Sequence, residues 1–222
     1  MLLMNKSRKV IIVASTVRKR MAGESTGHDW WHVYRVWRNS LYIARGERGA
    51  DLFIVQLAAL LHDIADWKFS NGDTKRGAKV AREILKRAGV DEKSIRQVCH
   101  IVENVSYKGG FGIALDTREG RIVQDADRVD ALGAIGIARA FAYGGSRGRE
   151  LYNPYIKPRK YRNFEEFKKS GGRSTTINHF YEKLLLLRKR MNTRTGKELA
   201  MERERFMREY LERFYKEWKG TV

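Results

Sequence analysis

Residues 57–67 of the chain read LAALLHDIADW, an apolar run that ends on His62, Asp63 and Asp66. Residues four apart share a face of a helix, so His62 and Asp66 should line up there, with Asp63 beside them. Burying a histidine next to an aspartate is costly unless the carboxylate charge is compensated, which a divalent cation does most completely. The stretch therefore predicts a core helix that ends at a metal site. The alternative is a solvated helix end, where His62 and Asp63 bond to each other or to a backbone carbonyl.

Helical patterns continue on both sides of this stretch, and no strand-like alternation of any length interrupts them. One helix is expected from the N-cap Asp29 to Gly46, and the next begins after the N-cap Asp51. Further helical patterns cover residues 74–89, 91–106, 118–141, 174–190 and 193–219. The fold class expected is all-α, a bundle in which apolar stripes of the helices pack face to face.

The composition limits the class of protein. A chain of 222 residues with 42% hydrophobic residues can bury one good-sized core, so we expect a single domain. Cys99 is the only cysteine, which excludes an internal disulfide framework or a Cys-rich zinc site and suits a reducing compartment. The N-terminal apolar run is too short for a signal peptide, and no later segment is long enough to span a bilayer. We therefore expect a cytoplasmic protein without a membrane partner.

The charge balance predicts an anionic partner. Forty-five Lys and Arg residues against 26 Asp and Glu residues give a formal net charge of +19. Such a charge attracts a nucleotide, another phosphorylated small molecule, or nucleic acid. The basic and aromatic segment 144–162 is either a lid over a substrate or a nucleic-acid surface. The alternative is that the charges only solvate the outer faces of the helices.

Three motifs in order along the chain resemble the HD-domain metal-dependent phosphohydrolase superfamily. An H-x-x-R-V context is matched at residues 32–36, and an AALLHDI-like helix end at residues 58–64. An A-D-x-(L/V)-D-A run is matched at residues 126–131. Residues 192–214, NTRTGKELAMERERFMREYLERF, look like the tail of small single-domain members. The resemblance implies an HD-domain-like helical bundle over residues 1–222. In it, C-terminal helices at about 174–219 pack on a metal-binding core at about 28–138.

The resemblance also implies the metal ligands, which are His32, His62, Asp63 and Asp127. Two imidazoles and two carboxylates suit Mn²⁺, Fe²⁺, Co²⁺, Ni²⁺ or Zn²⁺, whereas Mg²⁺ prefers an all-oxygen shell. Mn²⁺ is the expected ion, on the habit of the family. The rival for the last ligand is Asp125, and the rival for the first ligand is His28.

Residues for catalysis and substrate binding are carried over in the same way. Many HD hydrolases are similar in having an acidic residue one turn beyond the doublet, which makes Asp66 the candidate general base. The alternative for Asp66 is a helix-end carboxylate paired with Lys68. Lys108 is the best candidate for a phosphate contact, with Tyr107 and His100 as further substrate-binding residues. The alternative for this stretch is an ordinary helix C-terminus closed by glycine.

The reaction implied by the resemblance is hydrolysis of a nucleoside triphosphate to monophosphate and pyrophosphate. Phosphomonoesterase or phosphodiesterase action on another nucleotide uses the same metal chemistry, so the ligands do not separate these activities. An alternative from a different functional class is a basic helical nucleic-acid-binding module without catalysis. A third is a nucleotide sensor that binds metal and nucleotide without turnover.

Overall fold

A computed structural model describes residues 2–22, 29–65, 76–106, 115–163, 165–166 and 174–221. Within these ranges it contains nine α-helices and no strand, which confirms the expected all-α fold. The helices are α1 (Leu2–Arg20), α2 (Trp30–Gly46), α3 (Leu52–Leu61), α4 (Arg76–Arg87), α5 (Glu92–Asn104), α6 (Arg118–Asp130), α7 (Gly133–Ser146), α8 (Thr176–Glu182) and α9 (Arg194–Trp218).

Helix α3 lies at the centre of the fold. Its residues 53–55 and 57–61 are buried, and it packs against α1, α2, α5 and α6. A helix with apolar side chains on all sides can bury them only if other elements pack around it, which explains its central place. The helix ends at Leu61, and residues 62–65 form a turn, so it is shorter than the sequence pattern predicts.

Side-chain caps fix where α2 and α3 begin. The carboxylate of Asp29 accepts a hydrogen bond from the backbone nitrogen of His32, at 2.9 Å. The carboxylate of Asp51 accepts one from the backbone nitrogen of Phe53, at 2.8 Å. These bonds satisfy amide groups that have no partner within the helix, and both predicted N-caps are confirmed.

The helical pattern predicted over residues 118–141 is two helices, not one. Helix α6 ends at Asp130, and Gly133 adopts a φ of +72°, a left-handed conformation that glycine adopts without steric cost. At Gly136, a Cβ atom would lie 2.2 Å from the carbonyl oxygen of Ala131. The two glycines therefore allow the chain to leave α6 and begin α7 while the two helices stay in contact.

The long helix predicted over residues 174–190 is wrong. Helix α8 ends at Glu182, and Lys183 leaves the helical conformation with φ −140° and ψ −59°. Leu184, Leu185 and Leu187 are then all buried. Two 3₁₀ turns, Leu184–Leu186 and Arg188–Arg190, direct these side chains inward instead.

The last helix agrees with the prediction. Thr193 caps α9 by accepting a hydrogen bond from the backbone nitrogen of Gly196, at 3.0 Å. Helix α9 packs against α7, α6 and α2. The division of the chain into a single domain over residues 1–222 stays a prediction.

Helix α1 was not predicted, although its signal is present in the sequence. Val10, Val13 and Val17 recur at helical spacing, and all three are buried where α1 packs against α3 and α4. Lys6 also forms an ion pair with Asp51, at 3.8 Å between Nζ and Oδ2. Within the described ranges, none of the helices combines the length and the apolar character that crossing a bilayer requires.

Candidate metal centre

Three helices bring the predicted ligands to one point. His32 lies in the first turn of α2, His62 is the C-cap residue of α3, and Asp127 lies in the last turn of α6. Because α2 packs against both α3 and α6, side chains that are far apart in the sequence become neighbours.

The ligand atoms of these residues converge closely. The Nε2 atoms of His32 and His62 are 3.1 Å apart. Asp63 Oδ2 lies 3.7 Å from His32 Nε2. Asp127 Oδ1 lies 3.6 Å from His32 Nε2 and 3.7 Å from His62 Nε2. One ligand atom from each of His32, His62 and Asp63 lies within 4.8 Å of the others, so these three residues could hold a metal ion.

Hydrogen bonds at the other ring nitrogens determine which tautomer each histidine adopts. His62 Nδ1 donates to the carbonyl oxygen of Ala59, at 2.8 Å, because a carbonyl can only accept. His32 Nδ1 donates to Asp130 Oδ2, at 2.7 Å. In each neutral ring, Nε2 then carries a lone pair. Two lone pairs directed at each other across 3.1 Å are stabilised when a cation lies beside them, so the donor set fits a divalent metal ion.

The protonation states suit the same role. Burial, followed by the positive charge of Arg139, lowers the pKa of His32 to about 4, so its ring is neutral at pH 7. Burial acts to raise the pKa of Asp127, but electrostatic interactions with His62, His32, Arg139 and Lys183 keep it below its usual value. The cluster therefore offers a neutral imidazole and an ionised carboxylate at neutral pH.

Asp130 lies beside the cluster, with contacts that the sequence did not predict. It is fully buried and accepts hydrogen bonds from His32, from Arg35 Nε at 2.8 Å and from Arg139 Nη1 at 2.9 Å. Burial acts to raise the pKa of Asp130, but the bonds from His32 and Arg35 keep it far below its usual value. A signal was present in the sequence, because Asp130 follows Asp127 by one helical turn.

Asp125, the rival for the last ligand, has different partners. It is fully buried, and its two carboxylate oxygens accept hydrogen bonds from the backbone and side chain of Asn192 and of Thr193, at 2.7–3.0 Å. Asp125 thus anchors the chain just before α9. Its place on α6 points it away from Asp127, as helical geometry predicts for residues two apart.

His100 lies half-exposed on α5, with 52% of its side chain accessible, and its Nε2 is 3.5 Å from Asp116 Oδ1. It lines a cavity together with residues such as Ile54 and Thr117, and none of the four predicted ligands lines that cavity. Its role in substrate binding stays a prediction. Five other residues named from the sequence lie outside the described residues, namely His28, Asp66, Lys68, Tyr107 and Lys108.

The segment 144–162 is held by contacts with its neighbours. Its first three residues belong to α7, and the guanidinium groups of Arg147 and Arg149 lie over the ring of Tyr143, at 5.4 and 5.5 Å from its centroid. The carbonyl oxygen of Leu151 accepts a hydrogen bond from the backbone nitrogen of Ile177, at 3.0 Å. Two of the basic side chains that suggested a lid or a nucleic-acid surface thus stack on an aromatic ring.

Comparison with known proteins agrees with this arrangement. The family model described as HD domain matches residues 30–132. The chain is similar to the uncharacterized protein YpgQ of Bacillus subtilis (strain 168), with 38% identity over 211 residues that cover 94% of this chain and 93% of YpgQ. The crystal structure of YpgQ in complex with ADP aligns with 34% identity and a TM-score of 0.75, over 96% of each chain.

A crystal structure of an HD-superfamily hydrolase from Bacillus thuringiensis is similar over 96% of this chain and 98% of that chain, with 40% identity and a TM-score of 0.73. Similarity of this extent, together with the motif order and the helical bundle, decides the family. The chain belongs to the HD-domain phosphohydrolase superfamily.

Proposed function

We propose that the protein is a metal-dependent phosphohydrolase that converts a nucleoside triphosphate and water to a nucleoside monophosphate and pyrophosphate. The observation that carries the proposal is the convergence of two buried imidazoles and two partly buried carboxylates, with separations of 3.1–3.7 Å around His32 Nε2. A bundle that needed these groups only for packing would not direct two lone pairs at one point.

In this proposal four residues hold the metal ion, namely His32, His62, Asp63 and Asp127. Mn²⁺ is the proposed ion, and Fe²⁺, Co²⁺, Ni²⁺ and Zn²⁺ suit the same mixed donors, with Mg²⁺ a weaker fit. A divalent ion held there supplies Lewis-acid polarisation of a phosphoryl oxygen and a more acidic water. Asp66 is the proposed general base, which takes a proton from the attacking water.

A nucleotide is the proposed substrate for two reasons. YpgQ has been crystallised with ADP, and the present chain is similar to it over nearly its whole length. The charges of Arg139 and Lys183 also act on Asp127, so the candidate metal centre has cationic groups that favour phosphate. Lys108, Tyr107 and His100 are the proposed further contacts to the substrate. A cytoplasmic location is part of the proposal and depends on the lone Cys99.

The test is a hydrolysis assay that separates pyrophosphate from orthophosphate. Metal-free protein is loaded with each divalent ion in turn and given a panel of nucleoside tri-, di- and monophosphates and cyclic nucleotides. We expect pyrophosphate and monophosphate from triphosphates, with the highest rate in Mn²⁺. Orthophosphate as the only phosphorus product, or turnover of cyclic nucleotides alone, would show phosphomonoesterase or phosphodiesterase action instead.

Two aspartate variants control this assay. Asp63→Ala should lose both bound metal and turnover, because it removes a ligand atom 3.7 Å from His32 Nε2. Asp116→Ala should keep the bound metal, since that carboxylate is 79% exposed and contacts His100, not the candidate metal centre. Full turnover in Asp63→Ala would contradict the proposed site. Absence of metal uptake and turnover in the native protein, with salt-sensitive oligonucleotide binding, would favour the nucleic-acid-binding module.

A further inference from the structure

We propose that Asp130 is a positioning residue that sets the metal affinity of the site by fixing the tautomer and the ring orientation of His32. The inference depends on the proposed metal-dependent function for its affinity measurement, but its structural part can be tested without any metal.

The surrounding groups fix both the ring orientation of His32 and the nitrogen that carries its proton. Asp130 Oδ2 lies 2.7 Å from His32 Nδ1, and both residues are at most 1% exposed. An ionised carboxylate can only accept, so the ring proton lies on Nδ1 and the Nε2 lone pair faces His62, Asp63 and Asp127. Without this bond the ring could rotate, or it could carry its proton on Nε2, where no metal ion could then bind.

The neighbours of Asp130 keep it ionised. A buried carboxylate is costly without compensating charge, and two arginines, one on α2 and one on α7, supply that charge. Arg35, one turn after His32 on α2, donates from Nε at 2.8 Å and from Nη2 at 3.1 Å. Arg139 on α7 donates from Nη1 at 2.9 Å. Asp130 thus joins three helices and holds a full negative charge against the ring of His32.

The two imidazoles are held differently. His62 donates to a backbone carbonyl, that of Ala59, which is neutral and cannot be removed by a side-chain substitution. His32 donates to a carboxylate, which makes its Nε2 a more basic ligand, as carboxylate partners do for histidines in other metal sites. The metal affinity of His32 should therefore depend on one side chain outside the cluster.

Asp125 on the same helix is a matched control. Like Asp130 it is 0% exposed and is held by several hydrogen bonds. Its main partners are neutral groups of Asn192 and Thr193, and none of them belongs to the metal cluster. Substituting either aspartate by asparagine replaces a buried carboxylate by a neutral amide. That amide then faces the groups that donated hydrogen bonds to the carboxylate. Only at Asp130 does that change reach a ligand of the proposed metal.

The experiment is calorimetric titration of metal-free protein with Mn²⁺, together with thermal unfolding of each metal-free variant. We expect Asp130→Asn to weaken Mn²⁺ binding by about 10- to 100-fold, the usual effect of removing such a partner. Asp125→Asn should lower the melting temperature and change the Mn²⁺ affinity by less than about 3-fold. Native affinity in Asp130→Asn, or an equal loss of affinity in Asp125→Asn, would overturn the proposal.

A second readout separates this proposal from the proposed function. Long-range ¹H–¹⁵N spectra of the metal-free native protein should show His32 protonated on Nδ1, with His62 as an internal reference of the same tautomer. Asp130→Asn should change the His32 signals alone. A native His32 that is protonated on Nε2 would refute the positioning role, even if Asp130→Asn failed to fold. A native protein that binds no Mn²⁺ while showing the expected tautomer would instead refute the proposed function.

Discussion

His62 combines two roles because it stands where a helix ends. The last carbonyl groups of a helix have no partner within it, and the carbonyl oxygen of Ala59 is one of these in α3. The Nδ1 atom of His62 satisfies that oxygen at 2.8 Å, which turns Nε2 towards His32. The same side chain therefore closes the helix and faces the candidate metal centre.

This double role predicts two separate effects of His62→Ala. Metal binding should fall to the background level, because one imidazole ligand is gone. The metal-free protein should also lose about 1–3 kcal/mol of unfolding free energy, the cost of leaving a buried acceptor such as the Ala59 carbonyl unsatisfied. Elemental analysis measures the first effect, and urea unfolding of the metal-free protein measures the second.

His100→Ala is the control for that experiment, because His100 is half-exposed and lies on a different cavity. It should leave metal content unchanged and stability within about 0.5 kcal/mol of native. If His62→Ala kept its metal, His62 would not be a ligand. If its metal-free form were as stable as the native chain, the capping role would be wrong.

Asp66 is a further single residue whose substitution tests the proposed function, although it lies outside the described residues. As the proposed general base it acts on the attacking water, not on the metal. Asp66→Asn should therefore keep the metal content of the native protein and lower the turnover rate by about 100-fold or more. Loss of the metal together with the rate would make Asp66 a ligand, and an unchanged rate would remove it from the mechanism.

Residue chemistry was predictable from the sequence wherever it depended on a local motif. The motifs around His32, His62 and Asp63 predicted residues that the structure places together, although their assignment as metal ligands stays a prediction. The role of Asp130 was not predicted, because its bond to His32 spans 98 positions of the sequence. Such a contact depends on how α2 and α6 pack, which no local pattern specifies.

At the scale of elements, the corner between α6 and α7 connects the fold to the site. Helix α7 carries Arg139, which reaches back to Asp130, so the angle between these helices controls that contact. Two glycines lie at this corner: Gly133, which has a positive φ, and Gly136, which closely approaches the carbonyl group of Ala131.

Gly136→Ala should therefore disturb both stability and metal binding. Its Cβ would lie 2.2 Å from the backbone oxygen of Ala131, which cannot move without shifting the corner. We expect a loss of about 1–3 kcal/mol in unfolding free energy, typical of overpacking, and weaker Mn²⁺ binding because Arg139 moves from Asp130. Urea unfolding and Mn²⁺ calorimetry measure these two effects.

Gly145→Ala is the matched control on the same helix. Gly145 is exposed, and a Cβ there meets nothing within 4 Å, so alanine should be neutral or stabilise the helix by up to about 1 kcal/mol. Native stability in Gly136→Ala would mean that the corner adapts to a larger residue and that the glycine at 136 does not determine the angle.

Elements were predictable where local signals determine them. The starts of α2, α3 and α9 follow from the caps Asp29, Asp51 and Thr193, which act on their own first turns. The break after Asp130 and the short α8 were not predicted. Helical patterning continues through both places, and only packing against distant helices favours a turn there.

At the scale of the whole molecule, the excess positive charge is distributed unevenly. Helix α9 is rich in arginines, but four of them each form an ion pair with a glutamate one turn away. Helix α1 carries six Lys and Arg residues and no acidic residue, and its last turn presents Arg18, Lys19 and Arg20 to solvent. The net charge of +19 should therefore act on polyanions through α1 more than through α9.

This asymmetry predicts how the protein responds to salt. Native protein should bind random single-stranded oligonucleotides weakly, with an affinity that falls steeply as salt rises, because binding releases counterions. Replacing both Arg18 and Arg20 by Gln should lower the slope of log affinity against log salt by about 0.7 for each phosphate that the protein then leaves unneutralised. Replacing Arg194 and Arg205, which pair with glutamates on α9, should change the slope less.

Fluorescence anisotropy at several salt concentrations measures the slope. Equal effects of the two double variants would show that the ion pairs on α9 do not reduce the contribution of their arginines to binding. Nucleotide hydrolysis should be unchanged in both, since neither pair contacts the candidate metal centre.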